Sequence, residues 1–197
     1  MKLQVGITGN MGSGKSTVCR IFAELGIPIY DADSRAKSLM LESPLKEQIS
    51  AAFGGDAYLS NGELNRAFLS QVVFSDVAKL QQLNSLVHPA VAADAKHWHE
   101  SQMDVPYTLR EAALLIESGS YKLLDRLIVV TAPEKIRIER VISRDHSTRE
   151  TALARMNKQL PESEKVALAH FVINNDGDTA LIPQVLRIHQ ELSRQAH

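Results

Sequence analysis

Leu3, Val5 and Ile7 alternate with Gln4 and Gly6, the period of a short strand. Val18, Ile21, Phe22 and Leu25 then fall at i, i+3, i+4 and i+7, which predicts an amphipathic helix, and Gly26 stands where a C′ glycine would end it. Residues 27–30 (Ile-Pro-Ile-Tyr) read as a second short strand. Strand patterns return at 107–112, at 126–131 and at 171–173. The run at 126–131 (Arg-Leu-Ile-Val-Val-Thr) is apolar without alternation, as in a parallel strand covered on both faces. Leu181, Val185, Ile188 and Leu192 mark a last amphipathic helix over 179–195. Strands alternating with helices predict an α/β fold: a five-stranded parallel sheet flanked by helices.

About 70 residues separate the second strand from the third, far more than an ordinary crossover needs. Residues 34–104 read as mostly helical. Ser43-Pro44 and Gly54 bracket one helix, Asn61-Gly62 is a turn, Asn65 and Asp76 are N-cap candidates, and Pro89 opens a helix to about Gln102. The excess is predicted to be an inserted helical lobe where an acceptor molecule is held.

Between the first strand and helix, residues 9–17 read Gly-Asn-Met-Gly-Ser-Gly-Lys-Ser-Thr, matching G-x-x-x-x-G-K-[ST]. Gly9, Gly12 and Gly14 permit a tight turn whose N–H groups face a polyphosphate. Lys15 brings a cation to the β- and γ-phosphates, and the Ser16 hydroxyl suits Mg²⁺. Strand, glycine loop and helix together imply a nucleoside triphosphate site. Asp31 and Asp33 follow the second strand at its C-terminal end, where open α/β sheets bind ligands. One suits a base toward a substrate hydroxyl and the other a water on Mg²⁺; an N-cap is the bland alternative. Glu111 and Glu117, after the third strand, are further candidates for the Mg²⁺ water.

Arg137, Arg140 and Arg144 fall at i, i+3 and i+7 of a helix starting near Glu134, with Arg149 and Arg155 beyond. Phosphoryl transfer spreads charge over three oxygens, and arginines in a closing lid would stabilise it. Lys158 to Ala169 continues this lid as a polar helical stretch, and Asn175, in the turn after the fifth strand, is a candidate for the nucleotide base.

Net charge is −1, from 22 Lys plus Arg against 23 Asp plus Glu, which supplies no electrostatic case for nucleic acid or an anionic membrane. Cys19 is the single cysteine, suiting a reducing compartment. No apolar run reaches membrane-spanning length and the N-terminus lacks a signal-peptide pattern, so the expected location is the cytoplasm. His97-Trp98-His99 does not suggest metal, because i, i+2 positions on a helix do not face each other.

The chain resembles the dephospho-coenzyme A kinases almost end to end. The residues that carry this are the run from Gly6 through Gly9, Gly12, Ser13, Gly14, Lys15, Ser16, Thr17 and Val18, then Asp31-Ala32-Asp33, Leu83-Asn84 with His88-Pro89, and Leu114-Leu115-Ile116-Glu117. Arg140 with Arg144-Asp145, Arg155-Met156 with Gln159, and Phe171-Val172-Ile173 with Asn175 and Gly177 complete the set. The resemblance implies a P-loop kinase fold over 1–197, with the acceptor-binding lobe at 34–104 and the lid at 134–169. It implies phosphorylation of the ribose 3′-hydroxyl of dephospho-coenzyme A by ATP with Mg²⁺. Asp33 would be the base on that hydroxyl, residues 12–17 would hold the ATP phosphates, and Arg140 and Arg144 would act in the lid. Asn175 would lie near the adenine and His88 near the acceptor; Ser16 would ligate Mg²⁺, with Asp31 or Glu117 acting through water.

This chain departs from the family pattern at Asn10 and Glu111, where Gly and Asp are usual, at Ala112-Ala113 for Val-Pro, at Ile116 for Phe, and at His170, where Asp is common. Asn10 is tolerable if its backbone avoids positive φ.

Three other readings are open. A shikimate-type or nucleoside kinase shares an acid after strand 2, but Ser34-Arg35-Ala36 stands where a shikimate kinase has Ile-Glu. A GTP-gated switch needs an Asp followed by Gly three residues later and an Asn-Lys-x-Asp; Asn157-Lys158 continues as Gln159-Leu160. A nucleotide-binding module without turnover sits poorly with Lys15, Ser16 and Asp33 together.

Overall fold

Five short apolar stretches pair side by side because each is bounded by turns and none can bury its backbone alone. The computed structural model describes residues 2–196, which form two compact units. The first takes the chain up to Asp31 and from Ser101 onward; the second is Ala32–Glu100.

In the first unit the strands are β1 (Leu3–Thr8), β2 (Ile29–Asp31), β3 (Tyr107–Glu111), β4 (Arg126–Thr131) and β5 (Phe171–Asn174). All are parallel, in the order β2-β3-β1-β4-β5. β1 is central, so the loop after it leaves the middle of the sheet. Val5, Ile7, Leu109, Ile128, Val130 and Ile173 face Val18 and Phe22 of helix α1 (Lys15–Glu24) and Val185, Ile188 and Leu192 of α9 (Leu181–Gln195). Leu127 and Val129 of β4 are equally buried on the other face, which is why that strand shows no alternation. Each such side chain contributes about 1.5–3 kcal/mol on full burial. Gly26, at φ 80°, donates to Ala23 O at 2.9 Å and closes α1 as expected. The buried Tyr107 sets its hydroxyl 2.8 Å from His189 Nδ1, tying β3 to α9.

Helices α6 (Glu134–Asp145), α7 (Arg149–Met156) and α8 (Glu162–Ala167) lie between β4 and β5. The expectation of a polar helical stretch here needs correction at Lys165. That residue is 0% exposed, and its Nζ lies 2.6 Å from Glu117 Oε1. The approach is poorly aligned for a hydrogen bond, so the attraction is chiefly Coulombic. His170, just before β5, accepts the Leu127 N–H on its Nδ1 at 3.1 Å, so the ring serves as a backbone acceptor.

The second unit holds α2 (Ala32–Leu39), α3 (Leu45–Phe53), α4 (Arg66–Ser75) and most of α5 (Val77–Ser101). Its core is Leu45, Ile49, Ala57 and Leu69, with Leu83, Leu86, Val87 and Ala90 packed against them. Asn65 caps α4 by accepting the Phe68 N–H, and Asp76 accepts the Ala78 N–H at 2.8 Å, as the sequence predicts. Arg35 makes a bidentate pair with Asp94 at 3.0 and 2.7 Å, joining α2 to α5. Pro89 does not open a helix: it lies inside the 25-residue α5. An interior proline costs about 3 kcal/mol. Apolar contacts on both sides of it, from Leu83, Leu86 and Val87 before and Ala90 and Val91 after, outweigh that cost.

Removing one partner of a buried ion pair leaves an uncompensated charge. Lys165→Met is therefore expected to cost about 3 kcal/mol of unfolding free energy, and adding Glu117→Leu to recover most of it. Urea denaturation of the two variants checks this; a single variant as stable as the parent would contradict it.

Candidate active site

The turn after β1 is built where side chains are excluded. Gly12 has φ 81°, and a Cβ there would land on the backbone of Arg137. Gly14 has φ 91°, and a Cβ there would land on the Asn175 amide nitrogen. The loop is thus packed backbone to neighbour on two sides. α1 starts at Lys15, with the Thr17 and Val18 N–H groups closing onto Gly14 O, so the positive end of its dipole lies at the loop and favours an anion there.

The loop's carbonyl groups are held from outside. Arg140 Nη1 donates to Gly12 O at 3.3 Å and Ser13 O at 3.5 Å. Its Nη2 donates to Asn175 O at 3.2 Å and Asn175 Oδ1 at 3.3 Å. Asn175 Nδ2 in turn donates to Ser13 O at 2.7 Å. Lys15 Nζ donates to Gly9 O at 2.9 Å. Asn10 takes no positive φ; among the described non-glycine residues only Asp104 and His146 do.

The Ser16 hydroxyl is exposed and donates to Glu111 Oε1 at 3.4 Å. Asp31 is the register partner of Glu111 across β2 and β3, so both acids sit at the C-terminal ends of neighbouring strands. Burial and the adjacent Glu111 carboxylate push the Cys19 thiol far above its ordinary range, so it stays protonated and hydrogen-bonded to Glu111. Glu117 is engaged elsewhere, with Lys165 and with the Leu160 N–H at 3.3 Å. Among the described residues no three His, Cys, Asp or Glu side chains gather as a metal cage.

This is a phosphate loop with cationic and amide groups on its rim, in an all-parallel sheet. The dephospho-CoA kinase family model matches residues 3–180. The chain belongs to the dephospho-CoA kinase family. It is 43% identical over 189 residues to the dephospho-CoA kinase of Porphyromonas gingivalis, covering 94% of this chain and 92% of that one. A solved protein of Thermus thermophilus superposes with TM-score 0.86 at 33% identity, over 96% of this chain and 97% of its own. The dephospho-CoA kinase of Campylobacter jejuni gives TM-score 0.71 at 26% identity, over the full length of both. Dephospho-CoA kinases carry out the last step of coenzyme A synthesis, adding a phosphate from ATP to the 3′-hydroxyl of dephospho-coenzyme A.

The residues that the sequence singled out for the phosphates, the base, the acceptor and the lid fall into three groups. Gly12, Ser13, Gly14, Lys15, Ser16, Thr17, Arg140 and Asn175 come together around the loop. Asp33, in the first turn of α2, and His88, exposed on α5, belong to the helical unit. Arg144 and Arg137 are engaged away from the loop's carbonyl groups. Arg144 donates to Asp145 at 2.7 and 3.1 Å. Arg137 is buried, donates to Ala132 O at 2.9 Å, and lies 3.9 Å from Glu162. Sequence reasoning missed the contacts that Gln159 and Leu160 make with Met11 and Asn10 of this loop. Gln159 stood within a motif quoted for the family, but nothing in its spacing indicates a partner.

Asp145 also accepts from Arg155 Nη1 at 2.6 Å, so one carboxylate joins α6 to α7. Hydrogen bonds from Arg144 and then Arg155 hold its pKa down at about 2, below the ordinary 3.8. A depressed carboxylate contributes stability that is fully present above about pH 4 and is lost as pH falls through about 2. Carbon-13 titration of Asp145 should show a midpoint near 2. In Arg155→Ala it should move up toward the ordinary value; no movement would mean Arg155 does not hold the carboxylate in solution.

Proposed function

We propose that residues 12–17 hold the ATP phosphates and that Asp33 is the general base on the acceptor's 3′-hydroxyl. The observation that carries this is the loop itself, with Arg140 and Asn175 seated on its Gly12 and Ser13 carbonyl groups. Asp33 is supported by its exposure and its position in the first turn of α2, immediately after β2. The hydroxyl oxygen forms a bond to the γ-phosphorus while the bond from that phosphorus to the β–γ bridging oxygen breaks. The hydroxyl proton passes to the Asp33 carboxylate and then to solvent, and ADP leaves. Lys15 and Arg140 stabilise the negative charge spread over the transferring oxygens.

Ser16 with Glu111 at 3.4 Å fits a Mg²⁺ ion held mostly by phosphate oxygens and water, which needs few protein ligands. Asp31 or Glu117 acting through water is the expectation from the family pattern. Asp31, as the strand partner of Glu111, suits that place better than Glu117, whose carboxylate is taken by Lys165. When bound, Mg²⁺ neutralises charge on the β- and γ-phosphates. Residues 34–104, with His88, form the acceptor lobe in this reading, and residues 134–169, with Arg144, the lid. The single cysteine, Cys19, and a net charge of −1 suit a cytoplasmic enzyme of small-molecule substrates without a nucleic-acid partner. No helix of the described residues is long and apolar enough to cross a membrane.

ADP release should be measured with ATP, Mg²⁺ and dephospho-coenzyme A, shikimate, nucleosides or no acceptor. Turnover is expected only with dephospho-coenzyme A, giving a product heavier by one phosphate. Asp33→Asn should keep ATP affinity and lose turnover by about 10²–10⁴-fold, the range of general base catalysis. Unchanged turnover in that variant removes Asp33 as the base.

A further inference from the structure

The phosphate loop is gripped by a segment of the 134–169 stretch whose residues have no assigned role in the chemistry described above. Gln159 lies between α7 and α8, and its Oε1 accepts the Met11 N–H at 2.7 Å. One residue on, Leu160 O accepts from the Asn10 side-chain amide at 3.2 Å, and Asn10 is only 5% exposed. The segment is itself pinned. Gln159 N–H donates to Met156 O at 3.0 Å, at the end of α7. Leu160 N–H donates to Glu117 Oε1 at 3.3 Å, the same oxygen that faces the wholly buried Lys165. A continuous row of contacts therefore runs from Lys165 through Glu117 and residues 159–160 to the leading half of the loop.

We propose that Gln159 is a positioning residue for the phosphate loop, acting through the Met11 N–H. An N–H that donates to Gln159 is not available to a phosphate, so this bond selects which amides face the anion. Met11 lies inside the turn closed by Ser13 N–H donating to Asn10 O at 3.0 Å. Fixing both Asn10 and Met11 from outside fixes that turn, and with it the direction of the amides from Gly14 onward. Gln159 makes its hydrogen bonds to Met11 and Met156, and in the proposed reaction it has no part in the transfer itself. Its effect falls on ATP, not on dephospho-coenzyme A. The inference rests on the reading of the loop as the ATP-phosphate cradle.

Gln159→Met keeps the side-chain length and removes the acceptor. Titration calorimetry should show ATP affinity about three- to tenfold weaker, the worth of one such hydrogen bond. Dephospho-coenzyme A affinity should stay within about twofold. Hydrogen exchange at the Met11 amide should quicken while the amides of β1 keep their protection. Gln159→Glu, which retains an acceptor, should restore slow exchange at Met11. Unchanged ATP affinity in Gln159→Met overturns the proposal, as does equal weakening for both substrates with a lowered melting temperature, the mark of a merely structural role. Lys15→Ala separates the two readings. If it leaves ATP affinity unchanged, the loop is not the cradle and both fall. If it weakens ATP while Gln159→Met does not, only the positioning role falls.

Discussion

A loop can offer its amides to a polyanion only if its own carbonyl groups are satisfied elsewhere. Left alone, a glycine-rich turn has many shapes of similar energy, and few of them point several N–H groups at one centre. Here the shape is set from outside. Arg140 and Asn175 take the carbonyl groups of Gly12 and Ser13, while Leu160 and Gln159 hold Asn10 and Met11. These partners come from the helix after β4, the end of β5 and the connection between α7 and α8. The strand order explains why they can reach. β1 lies in the middle of the sheet and β4 beside it, so α6 starts alongside the loop.

The same parallel register distributes the acids. Because every strand runs the same way, Asp31 and Glu111 arrive at one edge as direct neighbours, with Ser16 within reach of Glu111. Carboxylates on neighbouring strand ends repel unless a cation or a proton donor lies beside them. The Cys19 thiol supplies one such donor to Glu111, and Lys15 is near enough to influence the same thiol. Glu117, only six residues further along the chain, is spent on a different task, neutralising Lys165. Proximity in sequence to that edge does not assign a carboxylate to it; the partner that reaches it first does.

Much of the scaffold was legible in the chain. All five strands, the bounds of β4, the glycine that ends α1 and the caps at Asn65 and Asp76 follow from period and local chemistry. β2 starts two residues later than its apolar run, because Pro28 cannot donate to a ladder. What failed to show shares one physical cause. The continuity of α5 through Pro89, the burial of Lys165 and the grip of Gln159 on Met11 all depend on side chains distant in sequence. Local propensity and spacing carry no record of such partners. The departures from the family pattern were informative for the same reason: Asn10 and His170 each carry a hydrogen bond that the usual residue would not make in the same way.

The arginines of α6 show where a spacing argument stops. Arg137, Arg140 and Arg144 share a helix face, which invites a single role for all three. Seven residues of helix rise about 10 Å, however, more than one triphosphate-sized site needs along one axis. Each guanidinium is therefore claimed by what lies at its own height. Arg137, nearest the sheet, buries its charge against Ala132 O and Glu162 and lets Gly12 pack on its backbone. Arg140 reaches the loop and the Asn175 turn. Arg144, at the far end, meets Asp145 and shares it with Arg155. A common face therefore accommodates a structural anchor, a loop contact and a helix-to-helix tie, and only the middle one is held at the phosphate loop by the surrounding contacts.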